Sequence, residues 1–188
     1  MFLTLGYKSV TMDDIAADLG ISKKTIYQHF ANKNELVEAS ADDLFVTISS
    51  GVDTIITENK DSIAEIFAIR NFMMQQLKNE STAPLYQLQK FFPKISICLR
   101  ARQFEKMHGC MQENLKKGIE SGLYRPDINI EFISRIYFTG LLGIKDNDVF
   151  PAAMFEINDT TKQFLNYHLR GIVTKKGLEV LEQHIEKY

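Results

Sequence analysis

The sequence has no tryptophan, few prolines, which interrupt helices, and few cysteines, which can form disulfides. Its four prolines begin at Pro84, and two cysteines, Cys98 and Cys110, are too few for the disulfide framework of a small secreted protein. It also lacks an apolar run of about 18 residues, the length that would suggest a membrane-spanning helix. The opening MFLTLGYKSV has neither the basic leader nor the small-residue cleavage site of a signal peptide. These absences predict a cytoplasmic globular protein with reduced thiols.

An excess of positive charge is absent as well. The chain has 22 Lys and Arg against 24 Asp and Glu, a formal net charge of −2. A chain with this balance has no overall field that attracts nucleic acid. Any contact with nucleic acid therefore depends on where individual lysines are placed.

The residue patterns of catalysis and metal binding are also missing. His108 and Cys110 are two positions apart, with no second ligand pair at metal-site spacing, so we predict no metal. No glycine-rich phosphate loop is present, and neither His168 nor His184 has a nucleophilic partner identifiable in the sequence. We predict no cofactor and no enzymatic activity. A helical enzyme stays open as an alternative that turnover of a ligand would favour.

What the chain does have is apolar residues at three- and four-residue spacing along nearly its whole length, without the alternation typical of strands. This pattern predicts an all-α fold. Beyond the first 30 residues the predicted helices cover 32–58, 61–78, 81–92, 93–121, 129–145, 159–173 and 176–187.

The segment VTMDDIAADLGISKKTIYQHFANKNEL predicts two short helices joined by a tight turn. Thr11 and Asp14 have the spacing of a capping box at the start of the first helix. Gly20 can adopt the positive φ that ends this helix, and Ser22 can cap the next one. Helices this short need tertiary packing to be stable, which indicates a helix-turn-helix.

The apolar residues of the two helices fit this interpretation. Ile15, Ala16 and Leu19 are expected to face inward from the first helix, and the small Ala16 permits a close crossing. Ile26 and Phe30 form the predicted buried stripe of the second helix.

The remaining side chains of the second helix form an outer set of Lys23, Lys24, Thr25, Tyr27, Gln28 and His29. Lysines and hydroxyls at a helix N-terminus suit phosphate, and the amide of Gln28 can read an adenine edge. Lys33, at the start of the following helix, is placed for another phosphate. In the alternative interpretation these are solvated charges at the corner of a helical protein-interaction or ligand-binding module that has no specific DNA binding.

The string GYKSVTMDDIAADLGISKKTIYQHFANKNELVEA, residues 6–39, resembles the DNA-binding domain of the TetR family of bacterial transcriptional regulators. The resemblance implies phosphate contacts by Thr11, Ser22, Thr25, Tyr27, His29 and Lys33. It implies base contacts by Lys23, Lys24 and Gln28.

The resemblance also implies a domain organisation and a mode of action. Residues 1–40 would form the DNA-binding domain, and residues 41–188 a helical effector-binding and dimerisation domain. MFLTLG supplies only the final turn of the family's first helix, so we expect the natural sequence to extend upstream. The implied function is that of a homodimeric repressor, released from a palindromic double-stranded DNA operator by a small-molecule effector.

Two further expectations concern residues 41–188. Aromatic and thioether side chains beyond the needs of a small core suggest a pocket for an apolar effector, although core packing is the better explanation for any single residue. The candidate pocket residues are Phe67, Phe72, Met73, Phe91, Phe104, Met107 and Met111.

The helices predicted at 129–145 and 159–173 carry apolar residues beyond a single stripe: Phe132, Phe138, Leu142, Leu165, Tyr167 and Leu169. Such helices need burial on two sides. This is consistent with the four-helix dimer interface that the resemblance implies.

Overall fold

The computed structural model describes residues 1–58, 61–76 and 83–185, with the side chains of the last segment described from residue 86. These residues contain no strand, only an isolated antiparallel bridge between Tyr124 and Val173. The all-α prediction is confirmed. The described helices are α1 (Phe2–Leu5), α2 (Met12–Leu19), α3 (Lys23–Tyr27), α4 (Lys33–Glu58), α5 (Ser62–Gln76), α6 (Ala83–Phe91), α7 (Pro93–Glu120), α8 (Ile130–Gly143), α9 (Ile157–Arg170) and α10 (Lys175–Ile185).

Most helices lie within one or two residues of the predicted ranges, and the largest shift is in α9. The range 159–173 was wrong at both ends. Glu156 caps the helix by accepting the N–H of Asp159 at 2.9 Å, so α9 begins at Ile157. At the other end the carbonyl of Ile172 accepts the N–H of Arg125 at 2.8 Å, which draws the chain into the bridge beyond Arg170. The predicted break at 59–60 and the predicted helix start at 81–82 lie outside the described residues.

The chain forms two compact units, Met1–Ser49 with Leu77–Gln103 and Ser50–Gln76 with Phe104–Tyr188. We refer to them as the N-terminal unit and the C-terminal unit. The division into a DNA-binding domain of residues 1–40 and an effector-binding and dimerisation domain of residues 41–188 concerns function, and it stays a prediction.

The N-terminal unit contains two small cores. One lies beneath α2 and α3 and consists of Val10, Met12, Ile15, Ala16 and Ile26, with Phe2, Phe30 and Leu36 packed against it. The other joins Tyr7 and Val37 to Leu88 of α6. Helix α6 therefore packs with the first 40 residues of the chain.

The C-terminal unit has one larger core, whose fully buried members include Ile63, Leu115, Leu165, Leu169 and Leu181. A polar group lies inside this unit: Glu65, which is 2% exposed, accepts hydrogen bonds from Asn114 and Lys117. None of the helices in the described parts of the chain is long and apolar enough to cross a membrane.

Candidate nucleic-acid interface

The start of α2 has the predicted capping box. The N–H of Asp14 donates to the hydroxyl of Thr11 at 3.1 Å, and the N–H of Thr11 donates to the Asp14 carboxylate at 2.8 Å. The Thr11 hydroxyl also donates to that carboxylate at 2.7 Å. The bond from the Thr11 hydroxyl has the larger effect on the pKa of Asp14 and the bond from the Thr11 N–H the smaller, and together they hold that pKa below its usual range. The box fixes where α2 begins.

The turn between α2 and α3 also has the predicted geometry. Gly20 has φ 64°, in the left-handed region, and its N–H bonds to the carbonyls of Ala16 and Ala17 at the end of α2. Ser22 caps α3 by accepting the N–H of Thr25 at 3.1 Å. A side chain at residue 20 would have open space but a strained backbone, so glycine is needed here for its φ alone.

Packing beneath the two helices agrees with the prediction except at one residue. Ile15, Ala16 and Ile26 are buried, and Phe30 packs against them. Leu19 was expected to face inward, but its side chain is 61% exposed. It is the last residue of α2, and Val10 and Met12 fill the core at the other end of the helix instead.

Five of the six side chains in the outer set are exposed as predicted. Lys23, Lys24, Tyr27, Gln28 and His29 are exposed and Thr25 is half-buried. The helix is short, and Gln28 is its C-cap. The Lys23 ammonium lies 2.8 Å from the Asp13 carboxylate, and the two side chains are 45% and 72% exposed. A pair this exposed contributes little to stability, so Lys23 can exchange it for a phosphate or base.

Lys33 is held more firmly than the other lysines of the site. Its ammonium donates to the backbone carbonyl of Lys8 at 3.0 Å and lies 5.9 Å from the centre of the Phe92 ring. Burial lowers its pKa, and attraction to the Asp14 carboxylate opposes that shift. All nine predicted DNA contacts belong to the N-terminal unit.

Two residues beside this site, Lys8 and Gln87, were not among the predicted contacts. The Gln87 side chain accepts the N–H of Lys8 at 2.8 Å across 79 positions of sequence. A bond between residues so far apart follows no local spacing rule, and although Lys8 lies within the string of residues 6–39, neither residue was among the predicted contacts.

The candidate pocket residues are divided between the two units. Phe67 and Met111 belong to the core of the C-terminal unit, and Met107 packs against it. Phe104 packs edge-to-face on Phe138 with the ring centres 5.1 Å apart. Phe91 lies in the N-terminal unit, where the Lys8 ammonium is 4.3 Å from the centre of the Phe91 ring.

The other two candidates, Phe72 and Met73, are half-buried on α5. The Phe72 ring lies directly against Gly51 of α4. The pocket as a whole stays a prediction. In the described parts of the chain no group of three His, Cys, Asp or Glu side chains is placed to hold a metal ion.

Comparison with known proteins extends these observations. Residues 1–40 match the family model described as bacterial regulatory proteins, tetR family. The chain is 28% identical over 186 residues to the HTH-type transcriptional repressor KstR2 of Mycobacterium tuberculosis, an alignment that covers 95% of this chain and 90% of KstR2.

Solved structures share the fold. A TetR-family transcriptional regulator from Agrobacterium tumefaciens superimposes with a TM-score of 0.74 at 16% identity, over 92% of each chain. SmeT, the repressor of the Stenotrophomonas maltophilia multidrug efflux pump SmeDEF, was solved as a triclosan complex. That complex superimposes with a TM-score of 0.65 at 18% identity, over 93% of this chain and 87% of the other.

Proposed function

We propose that this chain, a TetR-family transcriptional regulator and not an enzyme, is a cytoplasmic homodimeric repressor that leaves a palindromic DNA operator when a small-molecule effector binds. The observation that carries the proposal is the exposed face of α3. Caps at Thr11 and Ser22 and the Gly20 turn hold this helix on a buried core, while its lysines and amide point to solvent.

DNA recognition follows from the chemistry of that face. A recognition helix enters the major groove with its N-terminal residues towards the bases. Lys23 and Lys24, at that end of α3, would then meet base edges. Gln28, one turn after Lys24 on the same face, would reach the next base with an amide suited to adenine. Contacts from Thr11, Ser22, Thr25, Tyr27, His29 and Lys33 to phosphates would set the register of the protein on the duplex.

Exposed apolar side chains on α8 and α9 support the homodimer. Phe132, Ile136 and Tyr167 are 59%, 43% and 80% exposed. By contrast Phe138, Leu165 and Leu169 are buried within the C-terminal unit. The two helices thus have one face in the core and another that a second copy would cover.

Replacing Tyr167 by Asp should weaken self-association by at least about tenfold, because a charge would be placed in an apolar contact. Sedimentation velocity over a range of protein concentrations measures this effect. The matched control is Tyr86→Asp, the same change at a 59% exposed tyrosine outside α8 and α9. Equal dimerisation of both variants would show that Tyr167 is not in the interface.

The effector is proposed to be an apolar small molecule. Support comes from SmeT, whose structure was solved with triclosan, and from the aromatic and thioether side chains of the C-terminal unit. An effector lowers DNA affinity only if it binds the DNA-free arrangement of the dimer better than the DNA-bound one. Two recognition helices on one duplex need a fixed separation, so a small change in their spacing is sufficient for release.

The proposal is tested by selecting random duplexes with the purified protein at moderate salt. Recovery of an inverted repeat, with half-sites about one helical turn apart, is expected for a dimer of this kind. Binding that is sensitive to salt but blind to sequence would contradict specific recognition. If no duplex binds even at low salt, the helix-turn-helix is a scaffold and the interaction-module alternative is favoured.

Gln28→Ala should relax the base preference at particular operator positions, with a loss of about 1–3 kcal/mol on the preferred sequence and little on random DNA. Lys33→Met should instead weaken binding to both kinds of DNA, since a phosphate contact carries no sequence information. Fluorescence anisotropy on selected and scrambled duplexes separates the two effects. Equal losses on both duplexes for Gln28→Ala would show that this residue does not read a base.

A further inference from the structure

Lys8 is held by helix α6 through two contacts. Its backbone N–H donates to Oε1 of Gln87 at 2.8 Å, and its ammonium lies 4.3 Å from the centre of the Phe91 ring. The Gln87 amide also lies so close to Gly6 that any side chain at residue 6 would collide with it. Gly6 has φ +89°, so the chain turns here in a conformation that favours glycine.

The other side of the Lys8 backbone contacts the candidate interface. Its carbonyl accepts a hydrogen bond from the Lys33 ammonium at 3.0 Å. An ammonium has three N–H donors, and this bond uses one of them. Lys8 therefore connects an α6 side chain to a predicted phosphate-binding lysine through a single peptide segment.

The surroundings make this connection stiff. Tyr7 and Leu88, which adjoin Lys8 and Gln87 in the sequence, form a core with Val37; the three side chains are 4%, 1% and 0% exposed. The Tyr7 ring packs edge-on against Phe92, with the ring centres 6.4 Å apart. A displacement of α6 must therefore also move the segment that carries Lys8.

We propose that Gln87 is a positioning residue for DNA binding, which holds the Lys8 backbone and through it directs the Lys33 ammonium to a DNA phosphate. The inference rests on the proposed function. It makes the position of α6 a determinant of DNA affinity, although Gln87 itself does not contact DNA. Loss of the Gln87 acceptor frees the Lys8 segment, and the Lys33 ammonium then has to be ordered when DNA binds.

Gln87→Met removes the acceptor and keeps the length and volume of the side chain. We expect it to weaken binding to the selected inverted-repeat duplex by about three- to tenfold, the size of effect of one hydrogen bond. Gln89→Met is the matched control, because Gln89 is an exposed glutamine on the same helix. It should bind as the unmodified protein does. Thermal unfolding of each variant verifies that it is folded.

A double-variant cycle distinguishes positioning from a purely structural role. If Gln87 acts through Lys33, adding Gln87→Met to Lys33→Met should change the affinity by less than about 1.5-fold, since the contact is already lost. The slope of log Kd against log salt should fall by about 0.9 for Lys33→Met and move in the same direction for Gln87→Met. A general loss of stability would not change that slope.

The inference is overturned if Gln87→Met binds like Gln89→Met, or if its loss is undiminished when Lys33 is already methionine. If Gln87→Met does not fold, Gln87→Asn serves instead, because it keeps the amide but withdraws it from Lys8; the same losses are expected. Absence of duplex binding by the unmodified protein would refute the proposed function itself. That result is distinct from normal binding that does not depend on Gln87.

Discussion

Replacing Glu65 by alanine is expected to lower the free energy of unfolding by about 3 kcal/mol, as when one partner of a buried ion pair is removed. The Glu65 carboxylate is 2% exposed and accepts Nδ2 of Asn114 at 2.7 Å and the Lys117 ammonium at 2.8 Å. Alanine would leave a cavity and take an acceptor from two donors. The Lys117 side chain is 32% exposed and can partly recover by turning to water, which places the loss at the lower end of the range.

The loss extends beyond the ion pair because Asn114 is shared. Its amide also donates to the carbonyl of Ser62 at 2.8 Å and accepts the Tyr124 hydroxyl at 3.1 Å. These bonds connect α5 and α7 to the segment after α7. Removing Glu65 therefore loosens a group that holds three parts of the C-terminal unit together.

Urea unfolding at fixed protein concentration measures the effect, since the stability of an oligomer depends on concentration. Glu113→Ala is the matched control. Glu113 lies on α7 and pairs with Lys116 at 2.7 Å, but its side chain is 72% exposed. An exposed pair is worth about 0.2–1 kcal/mol at most. A Glu65 variant no less stable than the Glu113 variant would show that the buried group does not stabilise the fold.

The contrast between these two glutamates shows what a sequence can and cannot reveal. Both occur in helical patterns, and nothing local distinguishes the buried one. The partners of Glu65 are Asn114 and Lys117, which are 49 and 52 positions away in the sequence. Capping at Thr11 is predictable because its partner, Asp14, is three residues on and the bond forms within one turn of helix.

In the candidate interface, too, some features were predictable from short-range rules and others depend on tertiary packing. The positive φ of Gly20 and the exposed face of α3 follow from short-range rules and are present as predicted. Exposure of Leu19 was not predictable from helical periodicity, because it depends on where α2 ends against its neighbours. The contact from Gln87 to Lys8 depends on the packing of α6 and has no counterpart in the local sequence.

Helix ends show the same limit. The helix predicted to begin at Asn129 begins one residue later, because the Asn129 side chain accepts the N–H of Phe132 and caps α8. The end of α9 is set by hydrogen bonds that join residues 172 and 174 to residues 125 and 123. A periodic apolar pattern continues past that point, so only the tertiary bridge reveals the stop.

We expect His168 to make the C-terminal unit sensitive to acid, so that lowering the pH from about 6.5 to 4 reduces the free energy of unfolding by about 3 kcal/mol. The side chain is 7% exposed, and its ring lies 5.2 Å from Tyr137 and 5.7 Å from Phe164 between centres. Burial among these rings lowers the pKa of His168 to about 4. Burial also raises the pKa of Tyr137, so its hydroxyl stays neutral throughout this range.

The sign follows from the two protonation equilibria. Between about pH 6.5 and 4 the histidine of the unfolded chain binds a proton while the folded one does not. Protonation therefore favours unfolding, and the stabilisation that is complete above pH 6.5 is lost as the pH falls towards the folded pKa. Asp14, Glu131 and Glu156 have lowered pKa values because of their hydrogen bonds, so their contribution is lost only at lower pH, below the unfolded value of about 4.

His168→Leu should flatten the pH dependence of stability between pH 6.5 and 4.5, whatever its effect at neutral pH. In the described parts of the chain Nε2 of His168 has no hydrogen-bond partner, so leucine removes no bond from that atom. The exposed His29 provides the control, and His29→Leu should keep the full slope. Urea titrations at half-unit pH intervals measure both variants. An unchanged slope in His168→Leu would mean that the proton is taken up elsewhere, and that the buried ring is not the acid-sensitive element of the fold.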